Sequence, residues 1–180
     1  GCHPRNFVTR GWLNTPLAVI DQRYNNLLLI IDYLNKAVRI VDAMSQFVGT
    51  FVKSDSLQYI RSIKQDQKSN DVYVTVPQAV YRVAYIQRIV SMISRSTDSF
   101  SYKESTLLDS LFDWPYELIF ITPHTLLVDD KDNKKLRLVD MNSDKVKTLN
   151  VRSSLINNPN SLLLTNNSLY VGQYQKIITV

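Results

Sequence analysis

The residues that could support metal or acid–base chemistry are few. The chain has two histidines, His3 and His124, and one cysteine, Cys2. These three side chains cannot form a zinc cluster unless carboxylates supply most of the ligands. Gly1-Cys2-His3 would chelate Cu²⁺ or Ni²⁺ only if Gly1 were the free N-terminus. His124 lies between Pro123 and Thr125, where a turn role is expected. We therefore expect no metal and no other cofactor.

Glycine and serine patterns argue against enzyme activity. Only four of the 180 residues are glycine, and none has the spacing of a dinucleotide-binding fingerprint or a P-loop. No G-x-S-x-G nucleophile elbow is present, and a Ser-His-Asp arrangement could use only His124 as its interior base. The sequence therefore predicts a protein that is not an enzyme, with a lyase or hydrolase as an alternative.

Four aspartates recur at equivalent places, namely Asp32, Asp42, Asp130 and Asp140. Paired carboxylates can perform acid–base chemistry. Their repetition instead favours a structural role, in which they fix turns and pair with basic side chains. The candidate basic partners are Arg39, Arg137 and Lys135.

These aspartates belong to an internal repeat. Residues 28–50 and 126–148 align without a gap at an offset of 98, and 11 of 23 positions are identical. A degenerate unit lies between them, and a partial unit closes the chain. Each unit consists of short runs rich in Val, Ile, Leu and Tyr, which Asn, Asp and Lys separate. Four short strands per 40 to 50 residues is typical of a propeller blade.

The repeat predicts an all-β fold, a small β-propeller of about four blades in one domain covering residues 1–180. The blades are expected at residues 12–53, 57–94, 108–150 and 155–180, with residues 6–10 completing the last one. Pairing of this N-terminal strand with the last blade would close the ring and remove an exposed edge. The alternative is a fragment of a larger propeller. Residues 96–105 are expected to form a loop, and a short helix is possible over residues 103–111.

The unit starting at Pro16 resembles the NHL repeat. Its strand ending at Asp21, its second strand ending at Asp32, and Asn35 follow that family's order. The resemblance implies a propeller, and the NHL propellers of RNA regulators suggest RNA binding as an alternative function. Ala37 stands where the family has arginine, which predicts that Asp32 lacks its partner. In residues 126–140, Asp130, Asn133 and Lys135 occupy the Asp, Asn and Arg places.

The predicted propeller would bring equivalent reversals of every blade to one face. The reversals between second and third strands are expected at residues 33–36, 77–81, 131–135 and 172–176. Tyrosine offers rigid amphipathic area and lysine attracts anionic groups. The predicted binding residues are Tyr33, Lys36, Tyr81, Lys131, Lys134, Lys135, Tyr174 and Lys176.

The function expected from these features is a non-catalytic binding module for a protein partner. The net charge of +5 keeps nucleic acid or an anionic glycan as alternatives. No apolar run is long enough for a membrane helix, so membrane insertion is not expected. The sequon Asn166-Asn167-Ser168 and Cys2 favour a secreted or extracellular glycoprotein, with a cytoplasmic location as the alternative.

Overall fold

The computed structural model describes residues 13–22, 27–42, 44–45, 47–95, 103–152 and 155–180. The chain divides into two compact units, Gly1–Ile60 and Arg61–Val180, here called the first and second unit. Strands dominate both, and the described residues contain no α-helix. Within this part of the chain, nothing helical is long and apolar enough to cross a membrane.

The first unit holds one four-stranded antiparallel sheet, sheet 1, in the order β1-β2-β3-β4. Its strands are β1 (Pro16–Gln22), β2 (Leu27–Asp32), β3 (Ala37–Asp42) and β4 (Phe47–Lys53). Two 3₁₀ turns, Tyr33–Asn35 and Asp55–Leu57, follow β2 and β4. These bounds lie within one residue of the four apolar runs from which the sequence predicts strands, residues 17–21, 27–32, 38–42 and 47–52.

The described residues of the second unit form three further meander sheets. Sheet 2 contains β5 (Ser62–Gln65), β6 (Val72–Val76), β7 (Ala79–Val83) and β8 (Val90–Arg95). Sheet 3 contains β10 (Pro115–Thr122), β11 (Thr125–Asp130), β12 (Lys135–Asp140) and β13 (Lys145–Thr148), with β9 (Ser105–Thr106) on its outer edge. Sheet 4 contains β14 (Pro159–Leu164), β15 (Leu169–Gln173) and β16 (Lys176–Thr179).

Sheet 3 is covered on both faces, which explains the continuous apolar run at residues 126–128 of its second strand, β11. Leu126 and Val128 of β11 pack with sheet 2, whereas Leu127 between them packs with sheet 4. The first strands β5, β10 and β14 are neighbours. Glu117 of β10 joins them, because it accepts a hydrogen bond from Lys64 Nζ at 3.2 Å and one from the Leu162 N–H at 2.8 Å.

Glycine does not make the tight turns of the described residues. Ten residues other than glycine have positive φ there, whereas neither Gly49 nor Gly172 does. Such non-glycine residues are uncommon, and Asn and Asp tolerate this conformation best. The sequence predicts that Asn, Asp and Lys replace glycine, and they do so in part. The positive-φ residues are Thr15, Lys36, Tyr59, Asn70, Arg88, Trp114, Lys134, Asp144, Asn158 and Gln175.

One predicted element is absent from its place. The prediction of a short helix over residues 103–111 is wrong, because Lys103 pairs with Leu111 in an isolated bridge and β9 occupies Ser105–Thr106. The leucines at helical spacing lie instead in a short turn. The side chain of Leu108, on the outer face of this turn, is 58% exposed. Residues 6–10, predicted to close the last blade, and most of the 96–105 loop lie outside the described residues.

Candidate functional site

Asp32 is fixed by three donors from its own unit. It ends β2 without solvent exposure and accepts the backbone N–H of Asn14 at 2.7 Å and Nδ2 of Asn35 at 2.9 Å. Arg39 Nε lies 2.7 Å from Asp32 Oδ2. The prediction that Asp32 lacks an arginine partner is therefore wrong. Alternate residues share a face of a strand, so Arg39 lies on the same face as Ala37 and reaches the carboxylate. Asp32, Asn35 and Arg39 are here called the first clamp.

The second clamp consists of Asp130, Asn133 and Arg137. Asp130 accepts hydrogen bonds from the N–H of Asp113 at 2.7 Å, from Asn133 Nδ2 at 2.9 Å and from Arg137 Nη1 at 2.9 Å. The arginine of this clamp is Arg137, two residues beyond Lys135, which occupies the arginine place of the NHL pattern. Residues two apart lie on the same face of a strand, so Arg137 shares a face of β12 with Lys135.

Each clamp holds the chain two residues before a proline that starts a first strand. The intervening residue has positive φ, at 58° for Thr15 before Pro16 and at 51° for Trp114 before Pro115. A bulky residue at positive φ persists only where the surroundings hold it. Here the clamp holds the preceding residue, and the Trp114 N–H donates to the Pro77 oxygen at 3.0 Å. The motif therefore sets the position of Trp114.

Sheet 4 uses an amide for the same purpose. Gln173 Oε1 accepts the N–H of Asn157 at 2.6 Å, and its Nε2 donates to the Leu155 oxygen at 2.8 Å. Asn158 then has a φ of 49° before Pro159, the first residue of β14. Sheet 4 therefore has the same arrangement, with Gln173 in the place of the aspartate.

Trp114 belongs to a group of rings and cations at the end of sheet 3 where β11 turns into β12. The basic–aromatic cluster consists of Arg61, Trp114, Tyr116 and Lys131. The Arg61 guanidinium lies 5.1 Å from the Trp114 ring centroid and 5.6 Å from that of Tyr116. Lys131 Nζ lies 5.1 Å from the Tyr116 centroid. All four residues are half-buried, so the cluster combines ordered rings with accessible surface.

Two carboxylates flank the basic–aromatic cluster. Asp113 precedes Trp114, and Asp132 follows Lys131. The backbone N–H of Asp132 donates a hydrogen bond to the backbone carbonyl oxygen of Asp113 at 3.1 Å. Burial, together with the nearby Asp132 charge, raises the pKa of Asp113. These two acids partly offset the positive charge of Arg61 and Lys131.

The predicted binding residues of the first unit lie at the β2–β3 reversal. The Tyr33 ring centroid is 5.5 Å from that of Tyr59. Lys36 Nζ is 2.8 Å from Asp55 Oδ1, and this hydrogen bond lowers the pKa of Asp55. Both predicted side chains are therefore already engaged within their own unit.

The predicted residues of sheet 3 lie together at the β11–β12 reversal. Lys131 is part of the basic–aromatic cluster. Lys134 is exposed at the end of the turn, with a φ of 53°. Lys135 is the first residue of β12 and is half-buried.

The remaining predicted residues are divided between sheets 2 and 4. The reversal in sheet 2 comprises only residues 77–78, so Tyr81 lies within β7, opposite Val74. Tyr174 is 73% exposed at the β15–β16 reversal, and Lys176 is the exposed first residue of β16. The sequence correctly predicts the location of three reversals, but it places Tyr81 in a turn that ends earlier.

The sequence interpretation missed Trp114 and Arg61, the residues that make the cluster aromatic as well as basic. One signal was available: the three x-Pro pairs that start first strands recur with the repeat, and Trp114 is the aromatic member of this series. Arg61 precedes the shortened β5 and offers no comparable signal.

No group of side chains that could hold a metal ion is found in the described residues. No three His, Cys, Asp or Glu side chains converge there. His124 lies exposed in the β10–β11 turn, where its N–H donates to Thr122 Oγ1 at 3.2 Å. Asp42 and Asp140 each fix a turn through the serine three residues on. The predicted structural role of the repeated aspartates is confirmed.

No protein-family model matches the chain, and no curated protein matches it. Solved structures do. An auxiliary nutrient binding protein from Bacteroides ovatus matches with a TM-score of 0.77 and 14% identity over 92% of this chain and 48% of that one. A nidogen/laminin complex matches with a TM-score of 0.73 and 12% identity over 96% of this chain and 61% of that one. A computationally designed protein, Ika4, matches with a TM-score of 0.63 and 9% identity over 95% and 93% of the two chains.

At these identities the likeness concerns the fold alone. The fold class is all-β, a small β-propeller of about four blades, as the repeat predicts. The chain spans about half the length of the auxiliary nutrient binding proteins that it matches, which are covered to 46% and 48%.

Proposed function

We propose that this chain is a non-catalytic binding module that recognises a protein partner through the face carrying the basic–aromatic cluster. The observation that supports this most directly is the stacking of Arg61 and Lys131 on the rings of Trp114 and Tyr116. Tryptophan, tyrosine and arginine are the residues that most often dominate the binding energy of protein interfaces. On this proposal, Lys134 and Lys135 widen the same surface, and Tyr174 and Lys176 are further contacts.

The charge distribution favours a protein over a nucleic acid. A polyanion-binding surface concentrates cations without nearby acids, whereas Asp113 and Asp132 flank this cluster. We also propose that the repeats are of the NHL type and that the chain is secreted or extracellular. Solved structures described as nutrient binding proteins, a laminin-bound nidogen and an extracellular domain share the fold, and these descriptions are compatible with extracellular binding.

The test is retention of a partner from native extract by the immobilised chain, compared between variants. Trp114→Asn combined with Lys131→Glu removes the ring and reverses one charge, and asparagine tolerates the left-handed backbone at residue 114. Lys147→Glu is the matched control, because Lys147 is exposed on β13. We expect the double variant to lose at least 90% of a partner that the control retains. Equal retention by the double variant would refute the assignment of this face.

The nucleic-acid alternative is tested in the same assay. Retention that disappears after nuclease treatment, and that falls steeply between 50 and 300 mM salt, would replace the protein partner by a polyanion. Retention that survives nuclease and changes little with salt supports the protein partner.

A further inference from the structure

A cleft of about 530 Å³ opens at the end of the second unit opposite the basic–aromatic cluster. We call it the interblade cleft. Three reversals surround it: residues 66–71 between β5 and β6, residues 123–124 between β10 and β11, and residues 141–144 between β12 and β13. Its volume falls within the range of pockets that hold small organic ligands.

The floor of the interblade cleft is apolar. Five side chains from sheets 2 and 3 and from the 103–111 segment form it, namely Tyr73, Met92, Ile93, Leu107 and Met141. The Tyr73 ring is held edge-on against Phe120, with centroids 5.3 Å apart. The two methionines are flexible and polarizable, so they can adapt to a bound apolar group.

The rim of the interblade cleft carries more acids than bases. Asp71 is neutralised within the protein, because Arg82 Nε donates to its Oδ2 at 2.7 Å. Asp66 and Asp144 have no such ion pair among the described residues. Burial of Asp66 opposes ionisation, but the hydrogen bonds from its own turn and the nearby His124 lower its pKa below the usual value. Two carboxylates therefore remain to attract a cation.

We propose that the interblade cleft binds a small organic cation, an amine carried on an apolar body. The apolar floor would receive the body, and the carboxylates of Asp66 and Asp144 would attract the ammonium group. A ligand with both features matches the site better than a neutral or anionic ligand of the same size, since only the cation gains from the acidic rim.

The three methionines of the chain provide the test. Met92 and Met141 line the cleft, whereas Met44 is 77% exposed in the first unit and serves as an internal control. The chain is labelled with ¹³C at the methionine methyl groups and titrated with 2-phenylethylamine. The same titration is repeated with 2-phenylethanol and with 3-phenylpropanoate as neutral and anionic probes. Met92→Leu and Met141→Leu assign the signals.

We expect saturable shifts of the Met92 and Met141 signals with the amine, and an affinity at least fivefold higher than for the other probes. Asp144→Asn should weaken amine binding about threefold, because it removes one rim charge at an exposed position where asparagine tolerates the φ of 55°. The absence of shifts would overturn the proposal. So would equal affinity for the three probes, an Asp144→Asn variant that binds the amine unchanged, or a Met44 signal that moves as far as the other two.

Discussion

The first and second clamps have the same residue types at the same spacing, yet their surroundings differ. Arg39 is 24% exposed, and its guanidinium also donates to Thr50. Arg137 is fully buried over the Phe112 ring, 5.0 Å from its centroid, and donates to the oxygens of Leu111 and Lys103 at 3.1 and 2.8 Å. The connector of residues 103–113 thus covers the second clamp.

This covering reverses the electrostatics of the shared aspartate. Burial raises the pKa of Asp32, but the Asn14 N–H, Arg39 and Asn35 outweigh it, and the pKa is lowered overall. Burial outweighs the corresponding donors at Asp130 and raises its pKa to about 6. The comparison teaches that the motif fixes the hydrogen bonds, whereas the connector above it decides how much they stabilise the fold.

Replacing the two arginines should give the largest difference between the clamps. Arg137→Met leaves Asp130 buried without its cation and removes the ties to the connector, so we expect a loss of about 3 to 5 kcal/mol from the second unit. Arg39→Met should cost the first unit less, about 1 kcal/mol, because water reaches Arg39 and the Asn14 and Asn35 donors still bind Asp32. Denaturant unfolding followed by hydrogen exchange of peptides from each unit measures both.

Arg137→Lys is the control for this comparison. It keeps the charge but cannot reproduce both carbonyl contacts, and it should fall between the wild type and Arg137→Met. Equal losses for Arg39→Met and Arg137→Met would show that burial does not distinguish the clamps.

The pH dependence of stability should have opposite signs in the two units. Asp130 has a folded pKa of about 6 against an ordinary value of 3.8, so between these values the folded state holds the proton more often. Its stabilising contribution is therefore present at low pH and lost as the pH rises through 6, by at most about 3 kcal/mol. Asp32 has a lowered pKa, so its contribution is present at neutral pH and lost as the pH falls below about 4.

The measurement is the free energy of unfolding of each unit from pH 3 to 7, in the wild type and in Asp130→Asn. The wild type minus the variant isolates Asp130 from the other acids. A difference for the second unit that grows more favourable to the wild type as the pH rises from 4 to 6 would contradict the assignment.

At one position that is fully buried in both repeats the polarity differs: Ile31 lies there in the first unit and Asp129 in the second. Asp129 Oδ1 accepts the N–H groups of Tyr116 and Glu117 at the β10 bulge, at 2.7 and 2.8 Å. Its Oδ2 finds no hydrogen-bond partner among the described residues, and burial raises the pKa of this group well above its ordinary value. The bulge therefore needs the acceptor but not the charge.

We expect Asp129→Asn to raise the stability of the second unit at pH 7 by about 1 kcal/mol, because it keeps the acceptor and removes a buried charge. Asp129→Ile, which copies the first unit, should lower it by about 1 to 3 kcal/mol, since two buried N–H groups lose their acceptor. Urea midpoints of the two variants give the comparison. Destabilisation by Asp129→Asn would mean that the charge itself is needed.

The repeat made much of the fold predictable. Spacing and apolar runs locate the strands of sheet 1 within a residue, because the polar turns between them are sharply defined. The aspartates at strand ends were assigned correctly to turns and ion pairs. The same reasoning failed at Ala37, because alignment to a family pattern does not show that Arg39, on the same strand face, reaches Asp32.

The candidate sites were less predictable, for a physical reason. Lys131 follows from its position in a reversal, but Trp114 is presented by a connector whose path depends on Asp130, 16 residues later in the chain. The interblade cleft likewise forms from side chains of several segments that are distant in sequence. Local pattern gives the sheets, whereas the contacts between a sheet and its connectors determine the surfaces.

The smallest expected effect is one that the two repeats should share. Asp42 accepts hydrogen bonds from the Ser45 hydroxyl and N–H at 2.6 and 3.2 Å, and the Ser143 groups bind Asp140 at 2.7 and 3.3 Å. In both turns these donors, the serine hydroxyl foremost, lower the pKa of the half-buried aspartate.

Because neither turn is covered, Asp42→Ala and Asp140→Ala should each lower the denaturant midpoint of their own unit slightly and by the same amount. Both decreases should lie well below that for Arg137→Met. Ser45→Ala and Ser143→Ala are the matched controls, and each should reproduce part of the decrease by removing the hydroxyl alone. A markedly larger decrease for Asp140→Ala than for Asp42→Ala would show that the surroundings also determine how much the turns stabilise the fold. The contribution of these turns would then not follow from local sequence alone.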